Sequence, residues 1–348
     1  MVGLGILATE RDGWRLRSSN VLRLLGTPDA IEEELHAHDP NDVPTRLSIS
    51  QARRPLAGAR ISPLTEQQIA GLVRRDNALR IVLGTDATCL DDVTTVLADQ
   101  QQRTPSDLAP LIQPTTLHAY RQALSAGKAR GPHRLIISDM RAFKPDAVDT
   151  ALRDAVTRQP ASGVTRCVIA LIDAGNRDHL EVLSRHTAED LLVPLQRATA
   201  DGIRSWVTPT DALTVFNAPE NRRSLYATTG GWPMLLNRAA DLAATRPSAP
   251  DICRTLHDTL ATRAGASALL EAAALTDPAL QGILHDLSEL DEPLSEDDLV
   301  DLLATEHPDA AGALVTLHHL AALTETPGTA DSALESTIAA AWRAHGPR

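Results

Sequence analysis

The chain has 348 residues, with 33 Lys and Arg against 45 Asp and Glu and a formal charge of -12, a balance that gives no general attraction for DNA phosphates or anionic lipid. Hydrophobic residues make up 43% and aromatic residues 2%, so the cores are built from Leu, Ala, Val and Ile and the chain is too apolar to be largely disordered. Cys89, Cys167 and Cys253 stand far apart without CxxC spacing, which suggests neither a disulfide framework nor a cysteine zinc site and fits a reducing, cytoplasmic setting. The opening residues carry no basic stretch ahead of an apolar core, and no window reaches about 18 uninterrupted apolar residues. The expectation is a cytoplasmic protein of two or three domains with no membrane partner.

In chain order, Val2, Leu4, Ile6 and Leu7 read as the end of a helix. Trp14 and Leu16 then alternate with polar residues after Asp12-Gly13, a hairpin with an Asp-Gly turn. Ser18-Ser19-Asn20 caps a helix over 21–25, and a further helix follows over 29–35. This order resembles the last third of a winged-helix domain, so residues 1–35 are expected to form a partial winged-helix element. Arg11, Arg15, Arg17 and Arg23 make it the locally basic part of the chain and the candidate nucleic-acid contact, since a wing touches DNA backbone. A solvated face or a domain contact is the rival reading and the favoured one, because the base-reading helix is missing. Residues 36–62, rich in Pro, Asp, Asn and Ser, read as a linker.

From Pro63 to about residue 208, helices alternate with short apolar runs. Leu79–Gly84, Arg134–Asp139 and Thr165–Asp173 read as buried strands, with helices over 64–73, 90–98, 117–124, 146–156 and 188–198 and a short final strand over 205–207. Near-continuous apolar strands separated by helices predict a mainly parallel sheet covered on both faces. Helices over 209–216 and 221–228, and one from Pro233 to about 244, form a lid-like region over 209–246. After a break at Arg246-Pro247-Ser248-Ala249-Pro250, residues 251–348 read as helices over 252–264, 267–275, 278–287, 295–303 and 310–320. An echo of the N-terminal order follows: recognition-helix end, wing at Thr326-Pro327-Gly328, and closing helix Ser332 to Trp342. The second copy is complete.

Leu135-Ile136-Ile137-Ser138-Asp139, a strand ending in an acid, and Thr229-Gly230-Gly231-Trp232-Pro233-Met234-Leu235-Leu236 resemble the Walker B strand and the lid-helix motif of P-loop NTPases of the AAA and STAND type. The resemblance covers roughly residues 60–348. It implies an α/β fold, with a mainly parallel P-loop-NTPase-like sheet and helical lid, flanked by a partial N-terminal and a complete C-terminal winged-helix element. A phosphate-gripping loop needs several glycines, a Lys for the β and γ phosphates, and a Ser or Thr for magnesium. The chain offers Gly84-Thr85-Asp86-Ala87-Thr88-Cys89-Leu90-Asp91-Asp92, without lysine and with carboxylates that repel a triphosphate. No other GxxxxGK[ST] occurs, so hydrolysis of ATP by the usual route is not expected.

The candidate nucleotide contacts are therefore weak ones: Gly84, Thr85 and Thr88 in the altered loop, and Gly230, Gly231 and Arg223 in the lid. Asp86, Asp139 and Asp173, at strand ends where open parallel sheets meet ligands, are candidate catalytic carboxylates; the competing reading is that they cap helices or face water. No HExxH or GxSxG occurs, and no metal site and no cofactor is expected, with nucleotide and magnesium kept as a minor alternative. The helix over 310–320 lacks the Arg, Lys, Asn or Gln that reads bases, which favours a protein contact or a purely structural role. The composite expectation is a non-catalytic regulatory or scaffolding module that binds protein partners or itself within a larger bacterial ATPase-type system of defence or signalling. Its alternatives are a DNA-associated regulator using the N-terminal wing and a metal-dependent hydrolase or nuclease using the strand-end aspartates.

Overall fold

The computed structural model describes residues 7–10, 13–16, 51–74, 76–103, 111–126, 133–158, 160, 163–185, 191–245, 248–290, 292–325 and 331–345. The chain divides into two units, residues 1–48 and 49–348. In the first, β1 (Leu7–Glu10) and β2 (Gly13–Leu16) pair antiparallel with Leu7 opposite Leu16 and Glu10 opposite Gly13. The expected hairpin is present, but Leu7 opens a strand instead of closing a helix. The helices expected over 21–25 and 29–35 lie outside the described residues.

The second unit is built on a parallel sheet of β3 (Ala78–Gly84), β4 (His133–Asp139), β5 (Thr165–Asp173) and β6 (Leu192–Pro194), in the spatial order β4-β5-β3-β6. Ile112 adds a single parallel bridge to Ile136 on the free side of β4. The register pairs Gly84 with Asp173 and Asp139 with Leu171, so the strands end at one rim. Apolar side chains emerge on both faces, as a doubly covered sheet requires. One face packs Val82, Ile137, Ile169 and Leu171 against α1 (Glu66–Leu72) and α2 (Asp92–Arg103), through Ile69, Leu72, Val93 and Leu97. The other packs Ile81, Leu83, Ile136 and Ala170 against α3 (Leu117–Ser125), α4 (Pro145–Thr157) and α5 (Arg177–Ser184), through Tyr120, Leu152 and Val182.

Local chemistry sets the helix starts. The Thr65 hydroxyl accepts the Gln68 amide while the Gln68 side chain accepts the Thr65 amide, a complete capping box for α1. Asn176 caps α5 through the His179 amide, and Pro145 occupies the first turn of α4, where a missing N–H costs nothing.

Two expectations fail in the stretch 188–207. The last strand is β6, inside the expected helix over 188–198, because Pro194 cannot donate in a helix interior and the Leu195 amide continues the ladder to the Leu83 carbonyl at 2.7 Å. Residues 205–207, expected as a strand, belong to helix α6 (Ala200–Val207), whose Thr199 cap accepts the Gly202 amide. Residues 51–62 of the expected linker are packed on the domain: Arg53 is buried and its guanidinium donates to the carbonyls of Ser62, Pro63 and Gln196.

The lid consists of a 3-10 turn (Asp211–Phe216), α7 (Pro219–Thr229), α8 (Pro233–Ala243) and α9 (Ala249–Leu260), around a core of Trp206, Phe216, Leu225, Leu236 and Ile252. Beyond it come α10 (Arg263–Ala272), α11 (Pro278–Glu289), β7 (Leu294–Ser295), α12 (Glu296–Ala304), α13 (Ala310–His319), β8 (Leu323–Glu325), β9 (Asp331–Leu334) and α14 (Ser336–His345). The three short strands form an antiparallel sheet in the order β7-β9-β8, so α11 to β9 run in the helix-strand-helix-helix-strand-strand order of a winged-helix unit. Its core, with Leu269, Leu284, Leu317 and Trp342, is continuous with one face of the parallel sheet. Among the described residues no helix is long and apolar enough to cross a membrane.

Candidate functional site

The site to be judged is the loop between Gly84 and Asp92. After β3 the chain passes to one face of the sheet, and after β5 to the other, so the ends of these adjacent strands flank a topological switch point, where open α/β sheets bind ligands. A phosphate-gripping loop presents a concavity of free backbone N–H groups. Here those groups are turned inward. The Thr85 amide donates to Thr88 Oγ1 at 2.8 Å, and the amides of Thr88 and Leu90 donate to the Thr85 carbonyl and that of Cys89 to the Asp86 carbonyl, all within 3.2 Å. Cys89 adopts the left-handed region at φ 59 to close this winding.

The Ala87 amide leaves the loop altogether and donates to the Ala272 carbonyl at the end of α10, at 2.9 Å. The Ala87 carbonyl accepts the Met234 amide from the first turn of α8 at 3.1 Å. The lid and the C-terminal helices are thus bonded to the loop from both sides, and Ala87 is fully buried. Across the switch point the next turn is filled too: a Cβ on Gly175 would stand 2.3 Å from the Cβ of Ala274. Of the sequence candidates in this loop, Gly84 is hemmed by Leu195, with 2.6 Å between that side chain and a Cβ placed on the glycine. Thr85 and Thr88 are buried within the loop.

The three candidate carboxylates have separate fates. Asp139, at the end of β4, is gripped by Arg141: Nε donates to Oδ1 at 3.0 Å, Nη2 to Oδ2 at 2.6 Å, and the Arg141 amide to Oδ1 at 3.1 Å. Burial alone would raise this carboxyl, but the side-chain and backbone hydrogen bonds and the charge of Arg141 outweigh it and hold it below the usual carboxylate range. Arg141 also reaches Asp91 at 2.6 Å, so the guanidinium sits between two carboxylates where a cation-dependent site would need an unengaged one. Asp173 Oδ1 accepts the Gly175 amide at 2.8 Å, and Asp86 is exposed on the loop. Among the described residues, the one group of three or more His, Cys, Asp or Glu residues whose donor atoms come within 4.8 Å of one another is Asp286, Glu306 and His307, which contains none of the three.

Beside the loop, under the lid, is a cavity of about 160 Å³ lined by Arg60, Asp86, Cys89, Asp91, Asp92 and Asn237, with Met234 at its edge. Arg60 pairs with Asp92 at 2.7 Å; burial raises the Asp92 carboxyl, against the charge of Arg60. Burial and the Asp92 charge push the Cys89 thiol up to about 12, away from the thiolate form that a nucleophile needs. Asn237 joins this wall to the packed segment ahead of the sheet by accepting the Ile61 amide at 2.8 Å.

The lid motif makes contacts of another kind. Gly230 and Gly231 both have positive φ, 56 and 74, and both are crowded: a Cβ on Gly231 would lie 2.1 Å from the Ala198 carbonyl oxygen, and one on Gly230 would lie 2.4 Å from Glu335 Oε1. The Ala198 amide donates to the Gly231 carbonyl at 2.7 Å. Arg197, which the sequence did not single out, donates to the carbonyls of Ala321, Gly230 and Leu323 at 3.0, 2.9 and 3.1 Å, and its guanidinium lies 5.9 Å from the Trp232 ring. Glu335 is buried and accepts Trp232 Nε1–H at 3.0 Å and the Thr337 and Ile338 amides. Arg197, Trp232 and Glu335 therefore tie sheet, lid and winged-helix unit together at the corner the sequence offered for nucleotide. Arg223 is exposed on α7. Arg15 lies on β2, while Arg11, Arg17 and Arg23 lie outside the described residues.

The strand order carries the fold assignment. β5 lies between β3, which ends in the loop, and β4, which ends in Asp139, with Ile112 beyond β4 and β6 beyond β3. The fold is P-loop-NTPase-like. No family model and no curated protein matches the chain. Among solved structures it is similar to a Walker-type ATPase of Pyrococcus abyssi, at 12% identity over 87% of this chain and 97% of that one, with a TM-score of 0.47. It is also similar to the ORC2 protein of Aeropyrum pernix, at 11% identity over 79% and 89%, TM-score 0.40. A signal-transduction ATPase with numerous domains and a tetratricopeptide repeat sensor, from Pyrococcus horikoshii, is matched at 13% identity over 85% of this chain and 44% of that one, TM-score 0.33.

Proposed function

We propose that this NTPase-like fold serves as a non-catalytic regulatory or scaffolding module, and that protein partners or further copies of the chain, not nucleotide, are what it binds. The observation that supports this reading most is the state of the loop. Its amides at Thr85, Ala87, Thr88, Cys89 and Leu90 are all engaged within the protein, so a phosphate would have to break several of these bonds and also displace the Ala272 carbonyl. Each lost intramolecular bond costs about 1 kcal/mol net. No lysine in the loop repays that cost, and the exposed Asp86 adds repulsion.

The remaining carboxylate of interest, Asp139, is neutralised by Arg141, which speaks against a hydrolytic role for it. The winged-helix surface favours protein over DNA: α12 opens with Glu296, Asp297 and Asp298, and α13 carries no Arg, Lys, Asn or Gln to read base edges. A larger ATPase-type assembly is the setting in which such a module would act.

The deciding experiment is titration calorimetry of the full chain with ATP and ADP, with and without magnesium, alongside an assay of turnover. The expected result is no saturable heat into the millimolar range and no hydrolysis. Saturable micromolar binding would overturn the reading, since the loop would then have exchanged its internal bonds for phosphate.

A further inference from the structure

We propose that Asp286, Glu306 and His307 form a binding site for a divalent transition-metal ion of the zinc class, which would pin α11 to the turn between α12 and α13. One donor atom from each residue lies within 4.8 Å of the other two, and His307 Nε2 is 2.7 Å from Asp286 Oδ2. Donors bound at about 2.0–2.2 Å to a tetrahedral zinc ion lie roughly 3.4 Å apart, so side-chain adjustments on the order of 1 Å convert the present contact into a coordination shell. An imidazole with two carboxylates is a mixed nitrogen and oxygen set that suits zinc and its neighbours better than the all-oxygen shells of calcium or magnesium.

Three further features point to a cation at this place. The His307 ring is seated against the backbone of Gly282, where a Cβ would stand 2.5 Å from its Cε1; the missing side chain one turn before Asp286 is what lets the imidazole reach that carboxylate. The sequence supplies no Lys or Arg between Ala264 and Trp342, against fifteen Asp and Glu, so this stretch brings an excess of carboxylates and no Lys or Arg of its own. Finally, His307 also lines a cavity of about 620 Å³ between the parallel-sheet domain and the winged-helix unit, with Gly175, Arg177, Asp277, Leu280 and Thr316 on its walls. Three protein donors leave a tetrahedral ion one position for water or a small anion, and this cavity gives such a ligand room. The inference stands independently of the reading of the nucleotide loop.

The test is calorimetric titration of the full, chelator-treated chain with zinc chloride, and of the same sample with cobalt(II), whose visible absorption reports a low-coordinate nitrogen and oxygen shell. One equivalent is expected to bind and to raise the thermal midpoint. His307→Gln and Asp286→Asn are each expected to weaken binding on the order of tenfold or more, since even outer-shell changes at metal sites cost that much. Glu306→Gln, at an exposed position that leaves the core untouched, provides a variant that folds, and should weaken binding and alter the cobalt spectrum. Glu296→Gln, on the acidic surface outside the site, should change neither. No saturable one-to-one binding, or binding that survives His307→Gln and Glu306→Gln at full strength, would overturn the proposal.

Discussion

The Ala87 amide and the Ala272 carbonyl meet at 2.9 Å, joining the turn after the first strand of the sheet to the end of a helix far along the chain. A few residues on, the methyl group of Ala274 closes over Gly175, where a Cβ would sit only 2.3 Å away. The two contacts make the C-terminal helices part of the switch-point architecture, and they set a packing test. Gly175→Ala should destabilise the protein by about 1–3 kcal/mol, the usual cost of overpacking, as measured by urea denaturation. In an Ala274→Gly background the same substitution should cost much less, because the clashing carbon is gone; the coupling expected for touching residues is about 0.5–3 kcal/mol. Equal losses in both backgrounds would mean that the helices do not rest on this turn.

Arg197 should be the residue whose loss loosens the domains most. Its guanidinium serves three carbonyls from the lid and the winged-helix unit and approaches Glu335 at 3.9 Å. Arg197→Met is expected to cost about 2–4 kcal/mol, since buried carbonyls lose charge-assisted donors and a buried carboxylate loses its nearest cation. Arg197→Lys should recover little, because an ammonium cannot reproduce a planar fork. Hydrogen exchange would locate the effect: the Ala87 and Ala198 amides should exchange faster in Arg197→Met. A variant with wild-type exchange at both would show that the clamp carries no interdomain load.

The sheet was legible because its strands are made of uninterrupted apolar runs such as Leu135-Ile136-Ile137 and Cys167-Val168-Ile169-Ala170-Leu171-Ile172, which a half-exposed element cannot afford. The helices of the lid and the C-terminal region announced themselves through Pro233 and Pro278 in first turns and Ser295 at an N-cap. The short β6 was hidden, since three residues ending in Pro194 carry no periodicity and sit among helix formers. The altered loop was recognisable by what it lacks, and Arg141 stands only two residues after the Asp139 that it grips, yet nothing local reveals that Ala272 supplies the acceptor for Ala87. Arg197 reads in sequence like any surface arginine, and Asp286 and His307 are 21 positions apart, with no motif spacing to connect them. Long-range pairing, not composition, made those sites.

Asp139 predicts an acid limb. Its folded carboxyl is held below the ordinary value of 3.8, so it contributes stability that is fully present above that value and is lost as pH falls through the lower, folded-state value. The group is about half exposed, which keeps the contribution small. Denaturation midpoints measured from pH 6 down to about pH 3 should therefore fall less steeply in Asp139→Asn than in the parent chain, while the two converge once the parent carboxyl is protonated. Parallel curves would show that the Arg141 pairing adds nothing to folding.

Gly231 carries the sharpest single-residue prediction, because two independent constraints coincide there. Its φ of 74 is in the left-handed region, which costs a residue with a Cβ about 1–2 kcal/mol, and that Cβ would stand 2.1 Å from the Ala198 carbonyl oxygen. The oxygen belongs to the backbone and cannot swing aside as a side chain does, so Gly231→Ala must break the 2.7 Å bond from the Ala198 amide to the Gly231 carbonyl or shift the start of α8. The expected loss is about 3 kcal/mol or more, the sum of backbone strain and overpacking, seen as a lower denaturation midpoint. Gly58→Ala makes the comparison: that glycine also has a positive φ, 71, but a Cβ on it meets nothing within 4 Å, so it should cost about 1–2 kcal/mol from strain alone. If the two substitutions cost the same, the close approach of the lid corner to Ala198 contributes nothing, and the glycine pair serves turn geometry only.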